Sequence, residues 1–427
     1  MFQAPLAMSR NCQGQVAGAM ECSGILSGSV TLHHFENVEA VCPLGFNAEI
    51  DPGGGNQIKM RILYDHQVFS LQDGGGISRY YFELIRSLAS RSACSCDVLL
   101  GLNRNTYPFQ ASPGESVWQC RSWIAGRPGI LRYAINHAAS SCLVPFRGGY
   151  DIYHPTLYRE LQLARHRKVV TTHHDCAYEH FPSLFRNARG IVKMRALQFA
   201  KADAIICPSQ ATRADLHRFY DVPEHKTFVV YHGIAKLFTG SGGIPLRSEK
   251  PFVLYVGSRA PYKNFGGLLA AFAAAGLQRS FDIIAVGGGS PRRDELDQIQ
   301  KAALTESVHF VPRVSDEVLA AYYAQAHLLV YPSLYEGFGF PPLEAMDLGC
   351  PVLAASASCL PEICGPAACF FDPNCDDSLI EALKLSCYDE EWRHKAIALG
   401  KHQAKQYTWD DCAENTLAVY KAALSAV

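Results

Sequence analysis

Tyr331-Pro332-Ser333-Leu334-Tyr335-Glu336-Gly337-Phe338-Gly339-Phe340-Pro341-Pro342-Leu343-Glu344-Ala345-Met346 sets two carboxylates around a glycine loop that opens a helix. Proline lacks an N–H and is tolerated at a helix start, so Pro341 and Pro342 make Leu343 onward helical, with Gly349 to end the helix. Glu344 then falls in the first helical turn. Glu336 stays in the loop, beside backbone N–H groups bared by Gly337 and Gly339. This arrangement suits a sugar nucleotide: one carboxylate and the N–H groups read sugar hydroxyls, and the other carboxylate takes a ribose diol. A pair of glutamates eight positions apart is, taken alone, equally compatible with chance spacing and with helix capping by Glu344.

Outward from this stretch, apolar runs of strand length alternate with helical patterns, the sequence form of βαβ units and parallel sheets. Such runs lie at 61–64, 96–100, 168–172, 204–207, 227–231, 252–256, 281–286, 308–311 and 328–331. Between Tyr231-His232-Gly233-Ile234 and Pro251 the composition turns to Gly, Ser, Thr and Pro, which marks a hinge between two doubly wound domains.

At 427 residues the chain is long for one domain and sufficient for two cores. The formal net charge of −1 supplies no basic field, so nucleic acid is not an expected partner. The 16 cysteines are scattered without a Cys-x-x-Cys pair, which reads as reduced cytosolic thiols rather than a disulfide framework or zinc site. No apolar run approaches the roughly twenty residues of a membrane helix. The expected location is cytoplasmic, with a peripheral contact at the inner membrane face left open. Residues 1–58 lack strand or helix period and the marks of a signal peptide, and are expected to be a disordered extension. Met60 is then a candidate start, which N-terminal sequencing from the natural source tests.

Transfer from a nucleoside diphosphate sugar requires the leaving diphosphate to be stabilised by a metal or by fixed cations and backbone dipoles. The chain has no Asp-x-Asp pair, and no metal is expected. Instead Val256-Gly257-Ser258-Arg259-Ala260-Pro261-Tyr262-Lys263-Asn264 follows a strand and precedes a helix near Phe265, aiming Arg259 and Lys263 between the sheets. The bland reading is a solvated pair in a βα loop. In the first half, Gln72-Asp73-Gly74-Gly75-Gly76-Ile77-Ser78-Arg79-Tyr80 leads into a helix expected over 81–89, and its glycines allow close approach of a phosphate or sugar. Thr171-Thr172-His173-His174-Asp175 ends another strand. His174 there can bond a sugar hydroxyl or orient an acceptor, with Asp175 holding its tautomer. A structural polar pair and, with His173 and His180, a metal site are the other readings. Ser209 in Cys207-Pro208-Ser209-Gln210 reads as a helix N-cap.

The stretch from Glu336 to Glu344 resembles the E-x7-E signature of the retaining glycosyltransferases of family 4. Gly-Gly-Ile-Ser-Arg-Tyr at 75–80, His174-Asp175, the Arg259 to Lys263 turn, Ser358-Cys359-Leu360-Pro361-Glu362 and the tail from Tyr407 are similar to that family as well. The resemblance spans about residues 60 to 427. Pro366, where an acidic residue is common, and Arg313, where glycine is frequent, depart from the pattern and leave the donor preference open.

The resemblance implies an α/β GT-B fold, two Rossmann-like doubly wound domains facing a cleft. Expected bounds are 59–235 plus about 410–427 for an acceptor-side domain, 236–250 for the linker and 251–409 for the nucleotide-sugar domain. It implies His174, Asp175 and Glu336 as catalytic residues and Arg259, Lys263, Gly75 and Gly76 at the donor diphosphate. It implies Glu336, Gly337, Phe338, Gly339 and Glu344 at the donor sugar and ribose. The implied activity is retaining transfer from GDP-mannose or a UDP-sugar to a glycan or lipid-linked acceptor, without cofactor. A silent subunit of a polysaccharide assembly complex, an epimerase and a phosphorylase are the rival readings. The epimerase would need further acid and base carboxylates, and the phosphorylase a free-phosphate pocket.

Overall fold

The computed structural model describes residues 59–103, 105–107, 109, 117–120, 129–143, 149–158, 166–237 and 250–426. The extension expected over 1–58 and residues 238–249 of the linker expected over 236–250 lie outside them. Strands β1 (Met60–Tyr64), β2 (Cys94–Leu102), β3 (Val117–Cys120), β4 (Tyr150–His154), β5 (His166–Thr172), β6 (Ala204–Cys207) and β7 (Thr227–Val229) form one sheet. Its order is β3-β2-β1-β4-β5-β6-β7. Strands β8 (Phe252–Val256), β9 (Asp282–Val286), β10 (Val308–Val311), β11 (Leu328–Tyr331), β12 (Val352–Ala355) and β13 (Ala368–Phe371) form a second, in the order β10-β9-β8-β11-β12-β13. Every strand pairing is parallel.

Parallel sheets carry helices on both faces, so their strands are buried on both sides and read as near-continuous apolar runs. Phe252-Val253-Leu254-Tyr255 and Ile283-Ile284-Ala285 are buried throughout. The strand β4, which the apolar pattern does not single out, alternates tyrosines with Asp151 and His154 and is held by hydrogen bonding: His154 is fully buried between Tyr420 and Thr172.

In both sheets the strand order reverses once, between β1 and β4 and between β8 and β11. Ligands of open α/β sheets bind in the crevice beyond the carboxyl ends of the strands at that reversal. Lys263 lies in the turn after β8 and Glu336 in the turn after β11, so the topology places both at the switch point of the second sheet.

Two further elements shape the cleft. The helix Gly76–Ala89 begins at Gly76 rather than at the expected Tyr81, because the run from Gly76 to Tyr80 continues the turn set by Gly75, whose carbonyl accepts from Arg79 N at 2.9 Å. The last helix, Trp409–Ser425, returns to the first sheet. There it buries Trp409, Cys412, Leu417 and Tyr420 among Tyr80, Tyr81 and Leu84. Glycine is required at 233 for this return, since any side chain there would run into the backbone of Thr408 and Trp409.

Candidate active site

Pro341 and Pro342 lie in the first turn of the helix Phe340–Asp347 as expected, with Gly339 at its N-cap in the left-handed region (φ 92°), but the helix begins at Phe340 rather than Leu343, which puts Glu344 just past its first turn. Glu336 lies in the loop before it. Its Oε1 accepts from Lys263 Nζ at 2.5 Å, its N–H donates to Ser358 Oγ at 2.9 Å, and its carbonyl accepts from the Cys359 thiol at 3.2 Å. Burial works against the Lys263 charge. The Glu336 carboxylate, with Tyr262 and Asp175 behind it, more than offsets that and holds the ammonium above its ordinary value.

Glu344 is buried, with Oε1 2.9 Å from Arg79 Nη1 and Oε2 accepting from Tyr323 OH at 3.0 Å. Burial pushes its carboxyl above the ordinary value; the Arg79 guanidinium and the Tyr323 hydroxyl pull it only part of the way back, and Asp316 adds to the rise. Arg79 comes from the first domain, where its Nη2 also reaches Asp316 at 3.0 Å. Neither Arg79 nor Tyr323 follows from the E-x7-E pattern. The available signal for Arg79 was its place one turn into a helix beginning at Gly76, which the later expected start concealed.

The loops of the two domains meet directly. A side chain at Gly337 would collide with the carbonyl of His174, so only glycine permits this approach. Ser209 Oγ and Thr212 Oγ1 donate to the Gly337 carbonyl at 2.8 and 3.1 Å. Cys176 N donates to Tyr335 OH at 2.8 Å. Ser209 also caps the helix Gln210–Phe219 as expected, accepting from Thr212 N. Gly76 faces the Phe340 ring, while Arg313 lies across Gly74 and donates to its carbonyl at 2.9 Å.

His174 is buried, edge-on to Tyr80 and Tyr81, and its Nε2 has no partner. Burial pulls its imidazole down to about 4 against the pull of Asp175, so it is neutral near pH 7. His232, 6.0 Å away between ring centroids, is likewise buried with an unpartnered Nδ1 and lowered by burial. The sequence marks this residue only as the border of the hinge. The two imidazoles are therefore neutral hydrogen-bonding groups on the first-domain side.

Three expectations need correction. Asp175 does not hold the His174 tautomer: its Oδ1 accepts from Ala177 N at 3.0 Å, an Asx turn, and pairs with Arg195 at 3.6 Å. Arg259 is not free for a diphosphate. Its Nε donates to Glu295 at 2.9 Å, and its two terminal nitrogens donate to the carbonyls of Gly287, Gly289 and Ser290. A buried guanidinium must satisfy its donors, and here it does so by pinning the glycine turn after β9. Phe338 is packed among His232, Phe340 and Tyr407, so its ring serves the domain junction while its carbonyl accepts the Cys359 thiol at 3.3 Å. Among the described residues no group of three or more His, Cys, Asp or Glu could hold a metal ion.

Residues 74–235 match the family model described as Glycosyltransferase Family 4, and residues 242–403 match Glycosyl transferases group 1. O-antigen chain mannosyltransferase B of Escherichia coli is 32% identical over 289 residues, covering 63% of this chain and 74% of that protein. The chain belongs to glycosyltransferase family 4. This glycosyltransferase is also 27% identical to the MMP alpha-(1->4)-mannosyltransferase of Mycolicibacterium hassiacum, over 72% of this chain and 78% of the relative. Among solved structures, sucrose-phosphate synthase from Thermosynechococcus elongatus aligns with a TM-score of 0.68 at 21% identity, covering 86% of this chain and all of that one. WaaG, a glycosyltransferase involved in lipopolysaccharide biosynthesis, aligns at 0.62 and 18% identity, over 87% of this chain and all of that one. These likenesses show the GT-B fold of the glycosyltransferase.

Proposed function

We propose that the protein is a retaining, metal-independent glycosyltransferase that moves a hexose, mannose before glucose, from a nucleoside diphosphate sugar to a glycan or lipid-linked acceptor. The process it serves is synthesis of cell-surface polysaccharide or lipopolysaccharide at the cytoplasmic face of the membrane. The observation that carries this reading is the pairing of Lys263 with Glu336 at the switch point of the second sheet, with Glu344 one helical turn beyond. The mannosyl donor is supported by the relatives, of which two of the most similar are mannosyltransferases by name. The acceptor is supported by O-antigen synthesis in one of them. Among the described residues no helix is long and apolar enough to cross a membrane.

In this mechanism residues 251–409 hold the donor. Glu344 accepts hydrogen bonds from the ribose diol, and Glu336 with the N–H groups of Gly337 and Gly339 orients the hexose. Lys263 transfers its charge from Glu336 to the growing charge on the diphosphate, which places a fixed cation where the transition state needs it. Gly75 and Gly76 close over the diphosphate from the facing domain. The acceptor hydroxyl oxygen bonds to the anomeric carbon on the face the diphosphate leaves. As the bond from that carbon to phosphate oxygen breaks, the released oxygen takes the hydroxyl proton. His174, neutral with a free ring nitrogen, bonds a sugar hydroxyl. Contact of the two domains across Gly337 excludes water and suppresses donor hydrolysis.

The test is thermal shift of the protein with GDP, UDP, ADP and their sugars, with and without chelator, in wild type and Glu344→Ala. One nucleotide at a hundredfold over its dissociation constant should add about 2.7 kcal/mol, with or without chelator, and only in wild type. No response to any of them would overturn the donor site. Proton NMR of the first product formed from the stabilising sugar nucleotide then reads the anomeric configuration, and an inverted product would overturn retention.

A further inference from the structure

The carboxylate proposed to take the ribose belongs to the second domain, yet its cationic partner belongs to the first. Arg79 Nη1 lies 2.9 Å from Glu344 Oε1, and Arg79 Nη2 lies 3.0 Å from Asp316 Oδ2, so one guanidinium fork spans two helices of the facing domain. Glu344 is almost solvent-free, at 4% exposure, and a carboxylate so placed takes up a proton unless a cation holds its charge. Tyr323 OH supplies the second restraint, on Oε2. The charged and titratable groups acting on Glu344 are Arg79 from the helix Gly76–Ala89 and Asp316 and Tyr323 from the helix Asp316–Gln325. Arg79 in turn faces Tyr107 and Glu83.

We propose that Arg79 is a positioning residue through which the first domain pairs with and aims the Glu344 carboxylate, so that the ribose site is complete only when the domains are together. This rests on the reading that Glu344 takes the ribose. A nucleoside diphosphate bound to the second domain alone would meet a carboxylate without its cationic partner and free to turn. Docking of the first domain brings the guanidinium and fixes the carboxylate. Domain closure thereby raises nucleotide affinity through an arginine that need not touch the nucleotide.

The experiment is calorimetric binding of GDP and of 2′-deoxy-GDP, with UDP and its deoxy analogue in parallel, to full-length wild type, Arg79→Met, Arg79→Lys and Glu344→Ala at stepped pH. Without the cation Glu344 protonates at higher pH and then accepts poorly from the diol. The ratio of dissociation constants, Arg79→Met over wild type, is expected to grow severalfold as pH falls from about 8 to about 5. Titration of the phosphates is common to both proteins and cancels in the ratio. Arg79→Lys keeps a charge but not the fork, and is expected to restore the pH profile with a few-fold loss at all pH values. A contact that merely holds the domains together would give a ratio independent of pH, and that result overturns the inference. If Glu344→Ala keeps the preference for GDP over 2′-deoxy-GDP, the ribose reading fails and the inference falls with it. If Glu344→Ala loses that preference while the Arg79→Met ratio is flat, only the inference fails.

Discussion

The two walls of the cleft solve their electrostatics in opposite ways. The second-domain wall keeps its charges and pairs them: Lys263 with Glu336, Arg259 with Glu295, and Glu344 with an arginine sent across from the facing domain. Behind the first-domain wall, which itself carries Arg79 and the Asp175–Arg195 pair, the polar groups are neutral: Tyr64, Tyr420, His154, Thr172 and Tyr80 form a buried chain of hydrogen bonds of 2.6 to 3.1 Å. His174 and His232 stand beside it with unpartnered ring nitrogens. Paired charges can be handed to an ionic ligand, whereas neutral groups in a low dielectric offer orientation without charge. The division suits the proposed donor, which carries a diphosphate, and the proposed acceptor, which carries hydroxyls.

The comparison breaks most visibly at Lys263. Lys263→Ala should cut kcat by about 10²- to 10³-fold with a smaller change in donor KM, because in the proposed mechanism its charge matters most as the diphosphate departs. Steady-state kinetics with the stabilising sugar nucleotide measures this, and a loss confined to KM would mean that Lys263 only binds.

Acidification should act on the other wall. Burial holds His154 at about 3 and His174 at about 4, below the unfolded value near 6.5. The folded state then binds fewer protons than the unfolded one between these limits. Stability is therefore fully present above about pH 6.5 and falls as pH drops toward 4, by up to about 1.4 kcal/mol per pH unit for each such histidine. Urea unfolding at stepped pH should show this slope and its reduction in His174→Gln. The same slope in wild type and variant would remove His174 from the account.

Smaller effects sharpen the contrast. Tyr420→Phe preserves the ring but leaves Tyr64 and His154 without their shared partner, and is expected to cost about 1–3 kcal/mol by denaturant unfolding. An effect near zero would show that water or a rotated hydroxyl takes over. Ser209→Ala removes the helix cap and one donor to Gly337, for about 1 kcal/mol. Since the Gly337 carbonyl keeps Thr212, this variant should change stability more than kcat, and a large loss of kcat would make Ser209 part of the site.

The legible parts of this molecule are those set by neighbours along the chain. The strands at 204–207, 252–256, 308–311 and 328–331 stand where their apolar runs place them, and the cap at Ser209 follows from a serine before a helical period. The strand β13 was less legible, because Ala368-Cys369-Phe370-Phe371 is a short edge strand whose side chains are mostly half-buried. Asp175 looked like the orienting partner of His174 because it follows it, yet an aspartate accepts most easily from the N–H two residues on, and Ala177 takes it.

Period, proline and glycine alone determined the two doubly wound sheets and the loop and helix that carry Glu336 and Glu344, since these depend on backbone preferences within a few residues. Which charges are free to meet a ligand was decided only by the tertiary structure. Arg259 is spent on Glu295, 36 positions away, and Glu344 is held by Arg79, 265 positions away. Burial, which sets whether an imidazole or carboxylate carries charge, exists only once the domains have packed.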